Sequence, residues 1–259
     1  MKTLWPSIFY FLTYALTGFL VSCATGSKDK ELAYNHFKIG VTMLAQDKKE
    51  AALEQLIKAR DLDPENALFH NHLGLAYFFL NENEHAILSL KEAISKNPNY
   101  SEAHNNLGRV YIEVRDFIQA RNHLSLAARD LTYTSKDKVW LNLGLSYYFE
   151  GLHQKSQNYF VKSISFNRDN CLAYNYYGRS LLDADQFQKA SKALDQAIYH
   201  CRKKGFDEPH YYGAIALYRL GYTARALARL QEGRKLFPRG ENKLKMDEMI
   251  NLLRVTDTK

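Results

Sequence analysis

Residues 67–100 read ALFHNHLGLAYFFLNENEHAILSLKEAISKNPNY, and the pattern of this stretch recurs along the chain. Gly74 lies 34 residues after Gly40 and 34 residues before Gly108. A second set of small residues has the same spacing: Ala52, Ala86 and Ala120. A fixed period in this range is typical of an array of stacked structural units, so this repeat decides the fold.

A period of 34 residues is that of the tetratricopeptide repeat (TPR), a pair of antiparallel helices called helix A and helix B. Pro64 and Pro98 stop helix B at position 32 of the unit and set the register. Six units are predicted to start near Ala33, Ala67, Ser101, Asp137, Cys171 and Asp207. We therefore predict an all-α protein, a right-handed superhelical TPR solenoid over residues 33–240, with a capping helix and tail over residues 241–259.

Two columns of small residues explain why the helices of each unit pack closely. Position 8 holds Gly40, Gly74, Gly108, Gly144, Gly178 and Ala214. Position 20 holds Ala52, Ala86, Ala120, Ser156, Ala190 and Ala226. A larger side chain at either position would push helix A and helix B apart, at a cost of roughly 1 to 3 kcal/mol.

The N-terminus predicts export and lipidation. Residues 1–22 resemble a signal peptide, because Lys2 is followed by a stretch without charged side chains. Leu20-Val21-Ser22-Cys23 resembles the bacterial lipobox, which implies lipidation of Cys23 and a lipidated linker over residues 23–32. Residues 24 and 25 are not the aspartate that retains enterobacterial lipoproteins at the inner membrane, so we expect a lipid anchor at the periplasmic face of the outer membrane. The alternative is a signal anchor that stays uncleaved.

Composition and motifs favour a binding scaffold over an enzyme. The formal charge is +7, without a concentrated basic tract, so we expect no nucleic acid partner. The sequence has no zinc-protease, nucleophile-elbow, Walker or dinucleotide motif, so we expect no catalytic residues, cofactor or small-molecule substrate. Histidines recur at position 4, and repeat packing explains them better than a metal site does: His36, His70, His104 and His210.

Cys171 and Cys201 occupy positions 1 and 31 of the fifth unit. The start of helix A lies beside the end of helix B in a hairpin, so the two thiols should face each other. With Cys23 lipidated they are the remaining pair of an exported chain, and we predict a disulfide. The alternative is two free, buried cysteines.

The inner wall of a TPR array is formed by helix A positions 2, 5, 9, 12 and 13, and here these positions are largely apolar and aromatic. Such a groove suits an extended or helical peptide. The predicted groove residues in the first three units are Tyr34, Phe37, Val41, Leu68, Asn71, Leu75, Phe78, Asn105 and Arg109. In the last three units they are Leu141, Leu145, Tyr148, Asn175, Arg179, Tyr211 and Ile215. Aromatic residues at positions 12 and 13 could instead belong to the core between units.

A lipobox followed by six TPR units, with cysteines bracketing Asn175-Tyr176-Tyr177-Gly178-Arg179, resembles the outer-membrane TPR lipoproteins of type IV pilus biogenesis, the pilotins. The resemblance implies a protein partner, the secretin subunit, which a pilotin helps to reach the outer membrane and to multimerise. The alternatives are an envelope adaptor that recruits peptidoglycan hydrolases and a general chaperone of outer-membrane assembly.

Overall fold

The computed structural model describes residues 28–202 and 205–256, and in these residues the regular structure is entirely helical. The helices are α1 (28–45), α2 (Lys49–Leu62), α3 (Ala67–Phe79), α4 (Asn83–Lys96), α5 (Ser101–Glu113), α6 (Phe117–Arg129), α7 (Lys136–Phe149), α8 (His153–Phe166), α9 (Cys171–Asp183), α10 (Phe187–Cys201), α11 (Glu208–Arg219), α12 (Thr223–Leu236) and α13 (Lys243–Thr256). The odd-numbered helices α1 to α11 are the A helices of the six TPR repeats, and the even-numbered helices α2 to α12 are their B helices. The predicted signal peptide and Cys23 lie outside the described residues. No helix in the described ranges is both long and apolar enough to cross a bilayer.

The chain forms two compact units, with the boundary between Val110 and Tyr111 inside α5. Unit 1 contains α1 to α4 and most of α5. Unit 2 contains the end of α5 and α6 to α13. In both units the successive hairpins are those of the TPR fold, which confirms the predicted all-α fold class.

The A helices begin at residues 28, 67, 101, 136, 171 and 208, close to the six predicted starts. The first helix differs most, because it includes residues 28–32, which the sequence analysis placed in a linker. This segment, Lys-Asp-Lys-Glu-Leu, contains no glycine or proline and carries strong helix formers, so nothing in it stops the helix at position 33. The linker prediction is therefore wrong for these five residues.

The glycines at position 8 lie against a large side chain of helix B. In unit 1, a Cβ atom built on Gly74 would lie 2.6 Å from Leu90 Cγ. In unit 2, a Cβ atom on Gly178 would lie 2.5 Å from Leu194 Cγ. Real Cβ atoms do not approach carbon this closely, so glycine is needed for the crossing of the two helices.

Each unit has its own apolar core between the helices. In unit 1 the buried cluster is Ala33, Phe37, Leu56, Ala59, Phe69, Leu73 and Ala76. At the C-terminal end of unit 2 the buried cluster is Ala214, Leu217, Ala226, Leu230, Met246, Ile250 and Leu253. The last three of these residues belong to α13, so α13 covers the final hairpin as a capping helix does.

Position 15 of the repeat lies in the turn from helix A to helix B, and its φ is positive in all six repeats. The residues are Asp47, Asn81, Arg115, Gly151, Asp185 and Gly221, with φ values of 59°, 62°, 62°, 83°, 55° and 81°. This left-handed conformation is favourable for glycine and tolerated by asparagine and aspartate. It ends each A helix sharply and directs the chain into helix B.

Candidate functional site

Five of the six residues predicted at position 5 are buried rather than open to a groove, and the sixth, Tyr211, is partly exposed. In unit 1, Phe37, Asn71 and Asn105 are at most 8% exposed, and in unit 2 the same holds for Leu141 and Asn175. Side chains at this position lie between successive A helices. In the structure these five side chains therefore join successive A helices and do not line an open groove.

Phe37 and Asn71 show what the buried position does in unit 1. Phe37 packs on Phe69 with the ring centroids 5.1 Å apart. The Asn106 amide donates to Asn71 Oδ1 at 3.0 Å, and Asn71 Nδ2 donates to Glu102 Oε1 at 3.4 Å. These contacts join α1 to α3 and α3 to α5, so they hold neighbouring repeats together.

Six of the predicted residues in unit 1 keep part of their surface exposed: Tyr34, Val41, Leu68, Leu75, Phe78 and Arg109. The Arg109 guanidinium lies over two aromatic rings, 4.5 Å from the centroid of Phe78 and 5.7 Å from that of Phe79. A cation over an aromatic face at this distance is attracted by the ring quadrupole. Unit 1 therefore presents an aromatic and cationic surface on α3 and α5.

Five predicted residues in unit 2 are partly exposed: Leu145, Tyr148, Arg179, Tyr211 and Ile215. Of these, Arg179 lies at the centre of an aromatic cluster formed by three successive A helices. Its guanidinium carbon is 5.3 Å from the ring centroid of Tyr148, 4.8 Å from that of Tyr176 and 4.4 Å from that of Tyr212. We call Tyr148, Tyr176, Arg179, Glu208 and Tyr212 the Arg179 cluster.

Glu208 fixes the position of the arginine. Arg179 Nη1 donates to Glu208 Oε1 at 2.8 Å, and Asn175 Nδ2 donates to Glu208 Oε2 at 2.6 Å. Burial is the largest effect and acts to lower the pKa of Arg179, but the Glu208 carboxylate and the three tyrosines together raise this pKa by more, so the net shift is upward. The arginine therefore stays charged within its aromatic surroundings. Asn175 Oδ1 and Arg179 Nε have no hydrogen-bond partner among the described residues.

The three tyrosines of the cluster stay neutral. Burial raises the pKa values of Tyr148, Tyr176 and Tyr212, and this increase outweighs the decrease that Arg179 causes. The Tyr148 hydroxyl donates to Asp183 Oδ2 at 2.7 Å. Neutral phenols offer apolar faces and hydroxyl groups that can donate, which are the properties of a protein-binding surface.

Two large aromatic residues on the same A helices are more exposed, and one of them, Phe149, has its ring centroid 5.9 Å from that of Tyr176. Phe149 on α7 and Tyr218 on α11 are each 39% exposed. Together with the Arg179 cluster they form what we call the unit 2 A surface. Tyr176, Tyr212 and Glu208 are not among the residues predicted from the sequence. Tyr176 and Tyr212 share position 6 of consecutive repeats, and that recurrence was the signal that could have identified them.

Cys171 and Cys201 form a disulfide in the structure, with their Cα atoms 5.0 Å apart. Cys171 opens α9 and Cys201 ends α10, so the bond closes the open end of this hairpin. Both residues are 1% exposed and pack with Ala197, Tyr174 and Phe206. The disulfide lies in the same repeat as Arg179.

The histidines at position 4 contact neighbouring parts of the chain and not one another. A ring nitrogen of His70 is 2.8 Å from the Pro64 carbonyl oxygen, and one of His104 is 3.1 Å from the Pro98 carbonyl oxygen. His70 and His104 therefore tie helix A to the turn before it, whereas a ring nitrogen of His36 is 2.7 Å from Gln55 Oε1 in helix B. Within the part of the chain that the structure describes, no three histidine, cysteine or acidic side chains come together as metal ligands.

Comparisons with known families identify the repeats in both units. A family model described as TPR repeat matches residues 40–81 and 76–113, and one described as tetratricopeptide repeat matches residues 137–170. A search of the curated proteins gives no significant match.

Solved structures with the same fold include two proteins connected with pili. PilF of Pseudomonas aeruginosa is 19% identical with a TM-score of 0.72, and the alignment covers 86% of this chain and 99% of PilF. PilW, described as a widely conserved type IV pilus biogenesis factor, is 19% identical with a TM-score of 0.75, covering 82% of this chain and 97% of PilW. YrrB, described as a TPR protein with an unusual peptide-binding site, is 16% identical with a TM-score of 0.55, covering 74% of this chain and 97% of YrrB. At these identities the likeness establishes the TPR fold, and at that level it supports the resemblance stated from the sequence.

Proposed function

We propose that this protein is a membrane-anchored, protein-binding TPR scaffold that helps the secretin of a type IV pilus to reach the outer membrane and multimerise, the role of a pilotin. The unit 2 A surface is the observation that carries the proposal. It combines three neutral tyrosines, a fixed arginine and two exposed aromatic rings on α7, α9 and α11. Aromatic residues and arginine are the residues most enriched where proteins bind proteins.

The choice of partner is supported by the lipobox at Cys23 and by the fold likeness to PilF and PilW. A segment of the secretin with apolar side chains would cover the exposed faces of Phe149 and Tyr218. Burial of apolar surface contributes about 25 cal/mol per Å², so covering the two rings favours binding.

The experiment is a deletion in the native bacterium, complemented with variants, followed by electrophoresis of heat-resistant secretin multimers from membrane fractions. Deletion should abolish the multimers, and wild-type protein should restore them. Phe149→Ala combined with Tyr218→Ala should restore them poorly. A matched control, Val161→Ala combined with Tyr199→Ala, also removes two exposed apolar residues but from the B helices α8 and α10, and it should restore them fully.

Normal multimers in the deletion strain would show that the secretin is not the client. Capture of a peptidoglycan hydrolase instead of the secretin on the purified protein would favour the adaptor alternative.

Membrane attachment is tested separately with Cys23→Ser. This variant should not incorporate a radiolabelled fatty acid and should leave secretin monomers away from the outer membrane. Equal incorporation of the fatty acid into the wild-type protein and into Cys23→Ser would refute lipidation at Cys23.

A further inference from the structure

A second aromatic surface lies between α7 and α8, away from the residues of the unit 2 A surface. Tyr147 of α7 stacks on Tyr159 of α8 with the centroids 5.1 Å apart and the rings 9° from parallel. Trp140 of α7 stacks on the same Tyr159 at 6.2 Å. These three rings therefore form a row along the hairpin.

The row is flanked by lysines from one face of α8. Lys155, Asn158, Tyr159 and Lys162 have the spacing i, i+3, i+4 and i+7, which places all four side chains on one side of the helix. Lys155 Nζ lies 5.9 Å from the Tyr147 centroid, and Lys162 Nζ lies 4.7 Å from the Trp140 centroid. Tyr147, Tyr159, Lys155, Lys162 and Asn158 line a cavity of about 350 Å³.

The positive charge of this cavity is not neutralised by the side chains around it. Arg121, which lies over Tyr147, is already bound by both carboxylate oxygens of Glu150, at 2.7 and 3.2 Å. Neither Lys155 nor Lys162 forms an ion pair with a carboxylate of residues 28–202 or 205–256. Two ammonium groups therefore remain available for an external anion.

We propose that this cavity binds a phosphate group, carried either by a lipid headgroup or by a soluble phosphate. Its potential donors are the ammonium groups of Lys155 and Lys162, the hydroxyls of Tyr147 and Tyr159, and the Asn158 amide. A tetrahedral oxyanion with several acceptor oxygens suits such a set, whereas a planar carboxylate favours the two parallel donors of an arginine. Lysine is a compact point charge that commonly binds phosphate.

The phenols are suited to donate. Burial, and then the neighbouring Tyr147, raise the pKa of Tyr159 against the opposing effect of Arg121, so this hydroxyl keeps its proton. Along α8 the Cα atoms of Lys155 and Lys162 are about 10 Å apart, since a helix rises about 1.5 Å per residue. The cavity can therefore hold a phosphate between the two side chains.

The test uses Trp140 as a reporter, because the chain has two tryptophans and the other, Trp5, lies in the N-terminal segment. The full chain carrying Trp5→Phe is kept in neutral detergent and titrated with sodium phosphate against sodium chloride of equal ionic strength. A second titration, with the detergent removed, uses phosphatidylglycerol vesicles against vesicles of a neutral galactolipid, which carries no phosphate. We expect a saturable change in Trp140 emission with phosphate, with phosphatidylglycerol, or with both. A response to the lipid alone would assign the phosphate to a headgroup.

The variant Lys155→Gln combined with Lys162→Gln should bind at least about tenfold more weakly, because both charged donors are lost. The matched control is Lys189→Gln combined with Lys192→Gln, which removes two exposed lysines from α10 and should leave the response unchanged. No response in either titration would overturn the proposal. An equal loss of response in both double variants, or a response to a glutamate peptide without one to phosphate, would overturn it as well.

Discussion

Gly178 allows α9 and α10 to cross closely, and its replacement tests the packing directly. Gly178→Ala should lower the free energy of unfolding by about 1 to 3 kcal/mol, because the added methyl group would overlap Leu194. Denaturant unfolding followed by circular dichroism measures this change. Gly213→Ala in α11 is the control, since the nearest atom there is the end of the flexible Arg229 side chain, 3.1 Å away. The control should be neutral or slightly stabilising, and an equal loss in both variants would contradict the steric account.

Arg179 should contribute to stability as well as to the binding surface. Arg179→Ala leaves the Glu208 carboxylate, whose side chain is only 19% exposed, without its charged partner. We expect a loss of about 2 kcal/mol in the free energy of unfolding. Arg179→Lys should lose less stability, because the lysine keeps the positive charge beside Glu208. It should still lose some, because lysine lacks the planar group that stacks on the tyrosines.

The matched control for Arg179→Ala is Arg219→Ala. Arg219 also lies over a ring, 4.4 Å from the Phe187 centroid, and pairs with Asp185, but this pair is largely exposed. Exposed pairs contribute little, so the control should change stability by less than about 1 kcal/mol. A larger loss for Arg219→Ala than for Arg179→Ala would show that burial of the pair is not what matters.

The turn between helix A and helix B has the same backbone conformation in each repeat, although its residues differ. Gly221 has a φ of 81°, so Gly221→Ala should destabilise the protein by about 1 kcal/mol. Arg115 has a φ of 62° without being glycine, so Arg115→Gly should be neutral or stabilising. Thermal unfolding of the two variants shows whether each substitution raises or lowers the stability of the protein. Destabilisation by Arg115→Gly equal to that of Gly221→Ala would refute the conformational explanation.

The disulfide holds the hairpin of α9 and α10 together. On the chain-entropy model it adds roughly 3 to 4 kcal/mol to the free energy of unfolding. In a Cys23→Ser form, denatured without reductant, maleimide should label no thiol, and after reduction it should label Cys171 and Cys201. Two reactive thiols before reduction would refute the bond. Reduction should also lower the midpoint of thermal unfolding.

The helices could be predicted from sequence because glycines and alanines at positions 8 and 20 are fixed by contact between the helices. The α1 start was wrong because residues 28–32 have helical propensity without the repeat pattern. The turn conformation at position 15 was not predicted, since Asp47, Arg115 and Gly151 have no common side-chain chemistry.

The burial of the predicted groove residues could not be foreseen as well as the fold. Position 5 was assigned to the groove wall, but Asn71 and Asn175 are each oriented towards a glutamate of the next repeat. A single helix pattern does not distinguish a side chain facing the next A helix from one facing solvent. That distinction depends on the packing between repeats. For the same reason Tyr176 and Tyr212 were not selected.

For the molecule as a whole, the A helices and the B helices of unit 2 have different roles. The A helices α7, α9 and α11 carry the Arg179 cluster, Phe149 and Tyr218. The B helices α8, α10 and α12 supply the buried residues that support them, such as Phe160, Leu194 and Leu230. Binding of a protein partner should therefore stabilise the backbone of the A helices more than that of the B helices.

Hydrogen–deuterium exchange of the full chain, with and without the purified secretin, shows which helices the partner covers. We predict slower exchange in peptides from α7, α9 and α11 when the secretin is bound, and little change in α8, α10 and α12. Slower exchange confined to the B helices, or no change under conditions where the two proteins co-purify, would contradict this prediction.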